Sequence, residues 1–437
     1  MSVNRGMFLW NEAIKIIPGG NGLLSKRPER YAPDIWPCYF KKAKGAAVWD
    51  LSGRKYIDMA QMGMGTAILG YADKDVNDRV KRAIDGGVNC TLNSPEEVEL
   101  ARKLLALNPI AAGVRFARTG GEAMATAVRI GRAYSGKDKV IISGYHGWCD
   151  WYLAANILSS NKLNEHLLPG LHSKGVPRGL KGTVFPVRYN HGEDIDKILK
   201  KHDIGVIVFE GARYDFPDKQ FLSSISEAAK RRGIVVVVDE ITSGWRLTDG
   251  GVYKLFNFPA DIVVYGKAMG NGFAISAVLG RKKIMDAAQE TFMSSTFWTE
   301  RVGFTAAIAT IEKIARLRVW EHLQEIGDYI GMGWIRLALK HGLKIHVTDV
   351  KPLITFKFEY GQENDALYTL FTQKMLRCGF LAANSVYTSY AHTKKIVDNY
   401  FDSVDGVFKF ISEALKKKRV KQSLKTRIRT DAFKRLT

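Results

Sequence analysis

Cysteine, long apolar runs and acid are what this sequence has little of, and each shortage removes a class of protein. Its four cysteines, Cys38, Cys90, Cys149 and Cys378, stand far apart with no CxxC pair. That spacing speaks against a zinc site and against a disulfide framework, so no metal is expected and the thiols read as reduced. No stretch approaches the roughly 18 to 20 consecutive apolar residues of a membrane span. The N-terminus, MSVNRGMFLWNEAIK, lacks the apolar core of a secretory signal. A cytoplasmic protein without a membrane span is the expectation. Asp and Glu number 44 against 65 Lys and Arg, a formal charge of +21. Residues 416–437, KKKRVKQSLKTRIRTDAFKRLT, hold ten of the bases and one Asp, which leaves +12 on the remainder. Such a run reads first as a solvated, flexible tail. It has no aromatic interleaving of the kind that stacks bases, although nucleic acid or another polyanion is the partner it would suit.

What is present has the size and pattern of an enzyme core. With 437 residues, 46% of them hydrophobic, the chain can bury one large domain and a smaller one. KVIISG, GTVFPV, IGVIVFE, IVVVVDE and DIVVYG are short, continuously apolar and rich in Val and Ile. Such strands are covered on both faces. Helical stretches lie between them, as over 121–135 and 221–232, so the order predicts an α/β fold with a mostly parallel, doubly wound sheet. Ligands of such sheets gather beyond the C-terminal strand ends. Glu210, Asp239, Glu240 and Lys267 all fall there. From about residue 310 helices dominate, with a strand candidate at LITFKFEY, and a second, smaller domain is expected.

Two strand ends carry reactive residues. GIVVVVDEITSGWR, residues 233–246, ends its valines in Asp239 and Glu240, and YGKAMGNG places Lys267 between Gly266 and Gly270. A lysine there could form a Schiff base once its amine is neutral. A carboxylate fixed opposite could keep a pyridine nitrogen protonated and make that ring an electron sink. In RTGGEAMATAVRIGRAY, Thr119, Gly120 and Gly121 lie where a strand-like segment turns into a helix, and their backbone amides could face a phosphate. Each signal alone is a common one: a TGG turn is mainly a turn, and an Asp after a strand often caps a helix. Their order and placement together suggest pyridoxal phosphate.

The ordered series IPGG, WDLSGRKYIDM, TGGEAMATAVR, GYHGW, KGVPRGL, DEITSGWR, GKAMGNG, STFWTE and SYAHT resembles the class III aminotransferases. These are fold type I pyridoxal-phosphate enzymes, and the likeness is to the branch that includes glutamate-1-semialdehyde aminomutase. The resemblance spans everything but the tail. It implies an N-terminal arm with part of a small domain over 1–60, a large cofactor domain over 61–310 and an α+β small domain over 311–415, before the tail at 416–437. It implies Lys267 as the Schiff-base lysine and proton carrier, Asp239 as partner of the pyridine nitrogen, and Thr119, Gly120 and Gly121 as the phosphate cup. Tyr145 would stack on the ring, Ile241 would pack on its other face, and Glu210 would lie near the cofactor. Gly211 and Ala212 replace the family's Pro-Val after that glutamate. Thr296 would reach the phosphate of a neighbouring subunit, which implies a homodimer with shared sites. WTE after STF departs from the family's Gly-Asn-Pro.

His146, beside Tyr145, could assist proton transfer or serve as a structural hydrogen-bond donor. Glu122 and Arg129 read as local polar contacts and His392 as structural, while Trp148 and Trp151 could shape the substrate entrance or close the core, with core the first reading. Many class III enzymes acting on amino acids carry a late arginine for the α-carboxylate, and GFLAANSVYTSYAHT has none. The expected activity is amino transfer from a donor such as glutamate to the carbonyl of a small biosynthetic intermediate. Intramolecular transfer of the glutamate-1-semialdehyde aminomutase type is the alternative. The contrasting class is an inactive binding protein whose basic tail does the work, and an intact Lys267 and Asp239 argue against it.

Overall fold

Unbroken runs of Val and Ile cannot leave one face in water, and the computed structural model, which describes residues 4–166, 168–430 and 432–433, covers them on both sides. Every residue of the strands Ile204–Glu210, Val235–Asp239 and Ile262–Tyr265 is buried. These three pair in parallel with one another, and Lys139–Ser143 and Val184–Pro186 extend the parallel array. The seven-stranded sheet runs, in spatial order, Gly113–Ala117, Ser276–Gly280, Ile262–Tyr265, Val235–Asp239, Ile204–Glu210, Lys139–Ser143 and Val184–Pro186. Ser276–Gly280 is antiparallel to both its neighbours. Only residues 266–275 separate it from the preceding strand, too few for a helical crossover, so the chain has to return antiparallel.

The helix Gly120–Ser135 starts at an N-cap Thr119 and ends at Gly136, whose φ of 67° favours glycine. It buries Ala123, Met124, Ala127 and Ile130 in the same core as Val206 and Val235 of the sheet. Its Gly131 lies so close that an added Cβ would stand 2.8 Å from a Val206 methyl. Lys219–Arg232 is built the same way, capped by the Asp218 side chain and stopped by Gly233 at φ 64°.

The chain divides into two units, Lys74–Trp320 with the large sheet, and Met1–Asp73 together with Glu321–Thr437. The second unit has a four-stranded sheet, Phe40–Lys44, Ala47–Asp50, Lys55–Met59 and Phe380–Ala382. Its core gathers Trp334, Phe356, Phe371 and Phe408. The expected strand at LITFKFEY is Phe356–Phe358, paired with Ile345–Val347. No helix among the described residues is long and apolar enough to cross a membrane.

The basic tail departs from the expectation of a free end. The Thr426 hydroxyl donates to Asp34 Oδ2 at 3.2 Å, and Arg427 Nε to Oδ1 at 3.0 Å. Arg429 lies over the Tyr368 ring at 4.1 Å, with its Nε 3.3 Å from Asp365 Oδ1. The reason is charge complementarity: the same unit presents acids and an aromatic face to these cations. Asp431 and residues 434–437 of that tail lie outside the described residues.

Candidate active site

In the large unit Glu210 and Asp239 are register partners at the ends of adjacent parallel strands. Both carboxylates are buried, yet each is fully engaged. Asp239 Oδ1 accepts the Ile241 amide at 3.0 Å, and Oδ2 meets His146 Nδ1 at 2.8 Å. His146 is 1% exposed, flanked by Trp151 and edge-on to Tyr152, and its Nε2 is buried without a partner among the described residues. Strand Lys139–Ser143 leads into this turn through Gly144, at φ 117°, where a Cβ would stand 2.6 Å from Glu210 Cγ. Only glycine satisfies both the dihedral and the space. The next amide, Tyr145 N–H, donates to Glu210 Oε2 at 3.2 Å, and the Tyr145 ring stands edge-on to Tyr152 at 5.8 Å.

Glu210 Oε1 takes the other half of the cluster. Arg213 donates to it from Nε at 2.9 Å and from Nη2. The same Nη2 donates to Thr242 Oγ1 at 3.1 Å, and Lys267 Nζ donates to that hydroxyl at 2.7 Å. Burial pushes the Lys267 amine down to about 7, helped by the Arg213 charge and opposed by Asp239 and Glu210. Burial alone would raise Glu210, but the Arg213 charge and hydrogen bonds hold its carboxyl below the usual range. Burial lifts the Tyr145 phenol. His166 is driven down to about 4 by burial and by His146, so it is neutral and accepts the Gly144 amide on Nδ1 at 3.0 Å. Glu240 turns elsewhere, toward Ser243 Oγ at 2.5 Å and the Tyr253 amide at 3.0 Å, and burial raises it to about 7.

A second feature sits at the start of helix Gly120–Ser135. Thr119 and Glu122 form a reciprocal capping box, and the first helical bond is Ala123 N–H to the Thr119 carbonyl at 3.0 Å. The amides of Gly120 and Gly121 precede that bond and point out of the helix end. A Cβ on Gly120 would meet Ile241 Cδ1 at 2.9 Å, so Ile241 closes directly over the glycine backbone. Glu122 makes the local contact expected of it, and Arg129 Nη1 donates to the Phe292 carbonyl at 3.0 Å.

Trp151 is buried as expected, but Trp148 is corrected to a surface residue, 70% exposed. Gly147 at φ 103° turns the chain so that the Trp148 indole lies over Gly121 instead of entering the core. Thr296 is exposed on the turn Thr296–Thr299, which Arg118 holds by donating to the Phe297 and Glu300 carbonyls. No contact among the described residues brings Thr296 to the Lys267 cluster.

Thr242, Arg213, Gly144 and His166 were not singled out in the sequence. The first two each lie three residues past a strand-end carboxylate, a signal that acquires meaning only once those strands are known to be neighbours.

The donor set suits pyridoxal phosphate: an amine held near neutrality, a buried carboxylate steadied by a histidine with an unanswered ring nitrogen, and an open helix end under an apolar lid. The aminotransferase class-III profile matches residues 30–351. The chain is 30% identical to a 3-aminobutyryl-CoA aminotransferase of Cloacimonas acidaminovorans over 90% of its own length and 94% of the relative's. It is 34% identical to a glutamate-1-semialdehyde 2,1-aminomutase of Nitrosopumilus maritimus, over 90% and 96%. Among solved structures, the pyridoxal-phosphate form of the FumI protein of Sphingopyxis sp. MTA144 superposes with a TM-score of 0.86 at 23% identity, over 97% and 99% of the two chains. The architecture is that of the fold type I pyridoxal-phosphate transferases. The chain belongs to the class III aminotransferases, and is an enzyme that uses pyridoxal phosphate.

Proposed function

We propose that the enzyme takes an amino group from an amino acid such as glutamate and delivers it to the aldehyde or ketone of a small biosynthetic intermediate. The observation that carries this reading is Lys267, a buried amine brought to about 7 within one hydroxyl of Arg213 and close to the Asp239–His146 pair. Pyridoxal phosphate, when bound, supplies an electron-withdrawing ring that stabilises negative charge on the substrate carbon. The Gly120 and Gly121 amides and Thr119 would hold its phosphate at the helix end. Asp239 would accept a hydrogen bond from the protonated ring nitrogen and so keep it protonated, with His146 Nδ1 fixing the carboxylate's direction. Tyr145 and Ile241 would cover the two ring faces, and Glu210 would keep the turn after Gly144 in place through the Tyr145 amide. Lys267 Nζ would take the proton from the substrate carbon as the neutral amine, which an ammonium cannot do, and as the resulting ammonium would deliver it to the carbon on the far side of the transferred nitrogen.

The family acts as dimers. Thr296, exposed on its anchored turn, would serve the phosphate site of a second copy, giving a homodimer with shared sites. A reducing, cytoplasmic setting accompanies the proposal, supported by four free cysteines. Relatives named glutamate-1-semialdehyde 2,1-aminomutase favour a second reading, intramolecular transfer within one substrate. The two separate in a half-reaction. Glutamate or another common amino acid should convert the bound cofactor to its aminated form, and a keto acid should reverse the change, both read by absorbance. If no amino acid does so while glutamate-1-semialdehyde alone is turned over to 5-aminolevulinate, the mutase reading replaces this one.

A further inference from the structure

The late segment offers no arginine for a substrate carboxylate, yet the cluster around Lys267 contains one. Arg213 is one-tenth exposed and Glu210 less, so the pair is set inside the site and not on its rim. Thr242 Oγ1 stands 2.7 Å from Lys267 Nζ and 3.1 Å from Arg213 Nη2, so the two nitrogens are at most 5.8 Å apart. A substrate nitrogen has to take the place that Nζ leaves. A carboxylate on the carbon bonded to that nitrogen reaches about 3 Å from it. A charge-assisted hydrogen bond spans about 2.8 Å more. The guanidinium therefore lies within the reach of a carboxylate next to the reacting carbon.

Glu210 is held so that it can give this arginine up. Its Oε1 serves Arg213, whereas Oε2 serves the Tyr145 amide at 3.2 Å. Releasing Oε1 leaves the carboxylate anchored through Oε2, and an incoming anion replaces the lost charge pair beside Arg213. We infer that Arg213 is the carboxylate-binding residue of the donor site, with Glu210 as its counter-ion when no carboxylate is bound. The inference rests on the amino-acid-donor reading. It makes the site selective: a donor with a carboxylate beside the amine engages Arg213, and an uncharged amine leaves the Glu210 pair closed.

The probe is glutarate, a dicarboxylate with no amine to react, titrated by calorimetry into enzyme loaded with pyridoxal phosphate. Arg213→Gln should weaken glutarate about 10-fold or more, the size of a lost charge-assisted contact. Glu210→Gln should tighten it several-fold, because the competing carboxylate is gone; a purely structural pair predicts no gain. In turnover, Arg213→Gln should lower the ratio of kcat/KM for glutamate to that for 1-aminopropane about 10-fold or more. Should the single variant fail to fold, Glu210→Gln/Arg213→Gln removes both charges together and must still bind glutarate weakly. Wild-type enzyme that does not bind glutarate, or a double variant that binds it as tightly as wild type, overturns the assignment. Failure of the donor reading itself is seen separately, as amino acids that leave the wild-type cofactor unchanged.

Discussion

An amine stays neutral at physiological pH only where its charge is disfavoured, and at Lys267 burial and the Arg213 guanidinium both disfavour it. The folded value of about 7 lies below that of an ordinary lysine, so the neutral form dominates above about 7. In apo-protein, acylation of Lys267 followed by peptide mapping should rise with pH through about 7, while exposed lysines respond only near 10. The same depression means the native state binds fewer protons than the unfolded chain between those values. Lys267 therefore opposes folding increasingly as pH falls from about 10 to about 7. Lys267→Met should remove the labelled peptide and raise the thermal midpoint of apo-protein at neutral pH. Borohydride reduction of loaded wild type should fix the cofactor to this residue, and a label on another lysine would refute the assignment. Asp239→Asn keeps the shape but removes the charge opposite the ring nitrogen. Transamination should fall about 100-fold or more, the scale of losing a principal electrostatic stabiliser. Near-normal turnover would mean that another residue holds that nitrogen.

Elements bring these residues together through two devices, parallel register and a left-handed glycine. Register sets Glu210 beside Asp239, and Gly144 lets the neighbouring strand turn over them. Gly144→Ala would combine a positive φ with a Cβ against Glu210. It should cost about 1 to 3 kcal/mol by thermal melts and weaken cofactor affinity. Glu240 tests the same strand end from the other side. Its folded value is raised to about 7, so whatever stability it contributes is present below the ordinary carboxyl value and lost as pH rises through about 7. Glu240→Gln should gain in melting temperature relative to wild type between about pH 5 and pH 8. A constant difference between the two proteins would show that Glu240 titrates normally. The five parallel strands were legible, because runs such as four consecutive valines have few other places to go, whereas the antiparallel Ser276–Gly280 was not named. Lys267, Asp239 and the TGG turn were legible as strand-end chemistry. Thr242 and Arg213 were not, since their meaning depends on which strands are adjacent, and sequence order does not state that. Trp148 misled because an indole is apolar enough to suggest core, and one glycine dihedral decided otherwise.

At the scale of the whole chain the excess of positive charge invites an electrostatic role, and the structure puts part of it to structural use. Arg427 pairs with Asp34 and Arg429 with Asp365, while Val420 is buried and the Ser423 carbonyl accepts from Gln373 Nε2 at 3.0 Å. A polyanion drawn to the tail would have to compete with those acids for two of its ten cations. The segment adds apolar contact as well as charge, so its removal should be felt by the unit it rests on. Deleting residues 417–437 should lower the thermal midpoint by several degrees, about 1 to 2 kcal/mol for a domain of this size, while cofactor titration stays unchanged because the Lys267 cluster lies in Lys74–Trp320. Asp34→Ala should reproduce a fraction of the loss. Burial alone would raise this carboxyl, but Arg427 holds it below its ordinary value, so its contribution is present above that value and lost as pH falls through the depressed one. The deficit of Asp34→Ala should accordingly shrink in acid. Equal melting of full-length and shortened protein at neutral pH would return the tail to a free end, and heparin retention lost on truncation would then assign its charge to a polyanion.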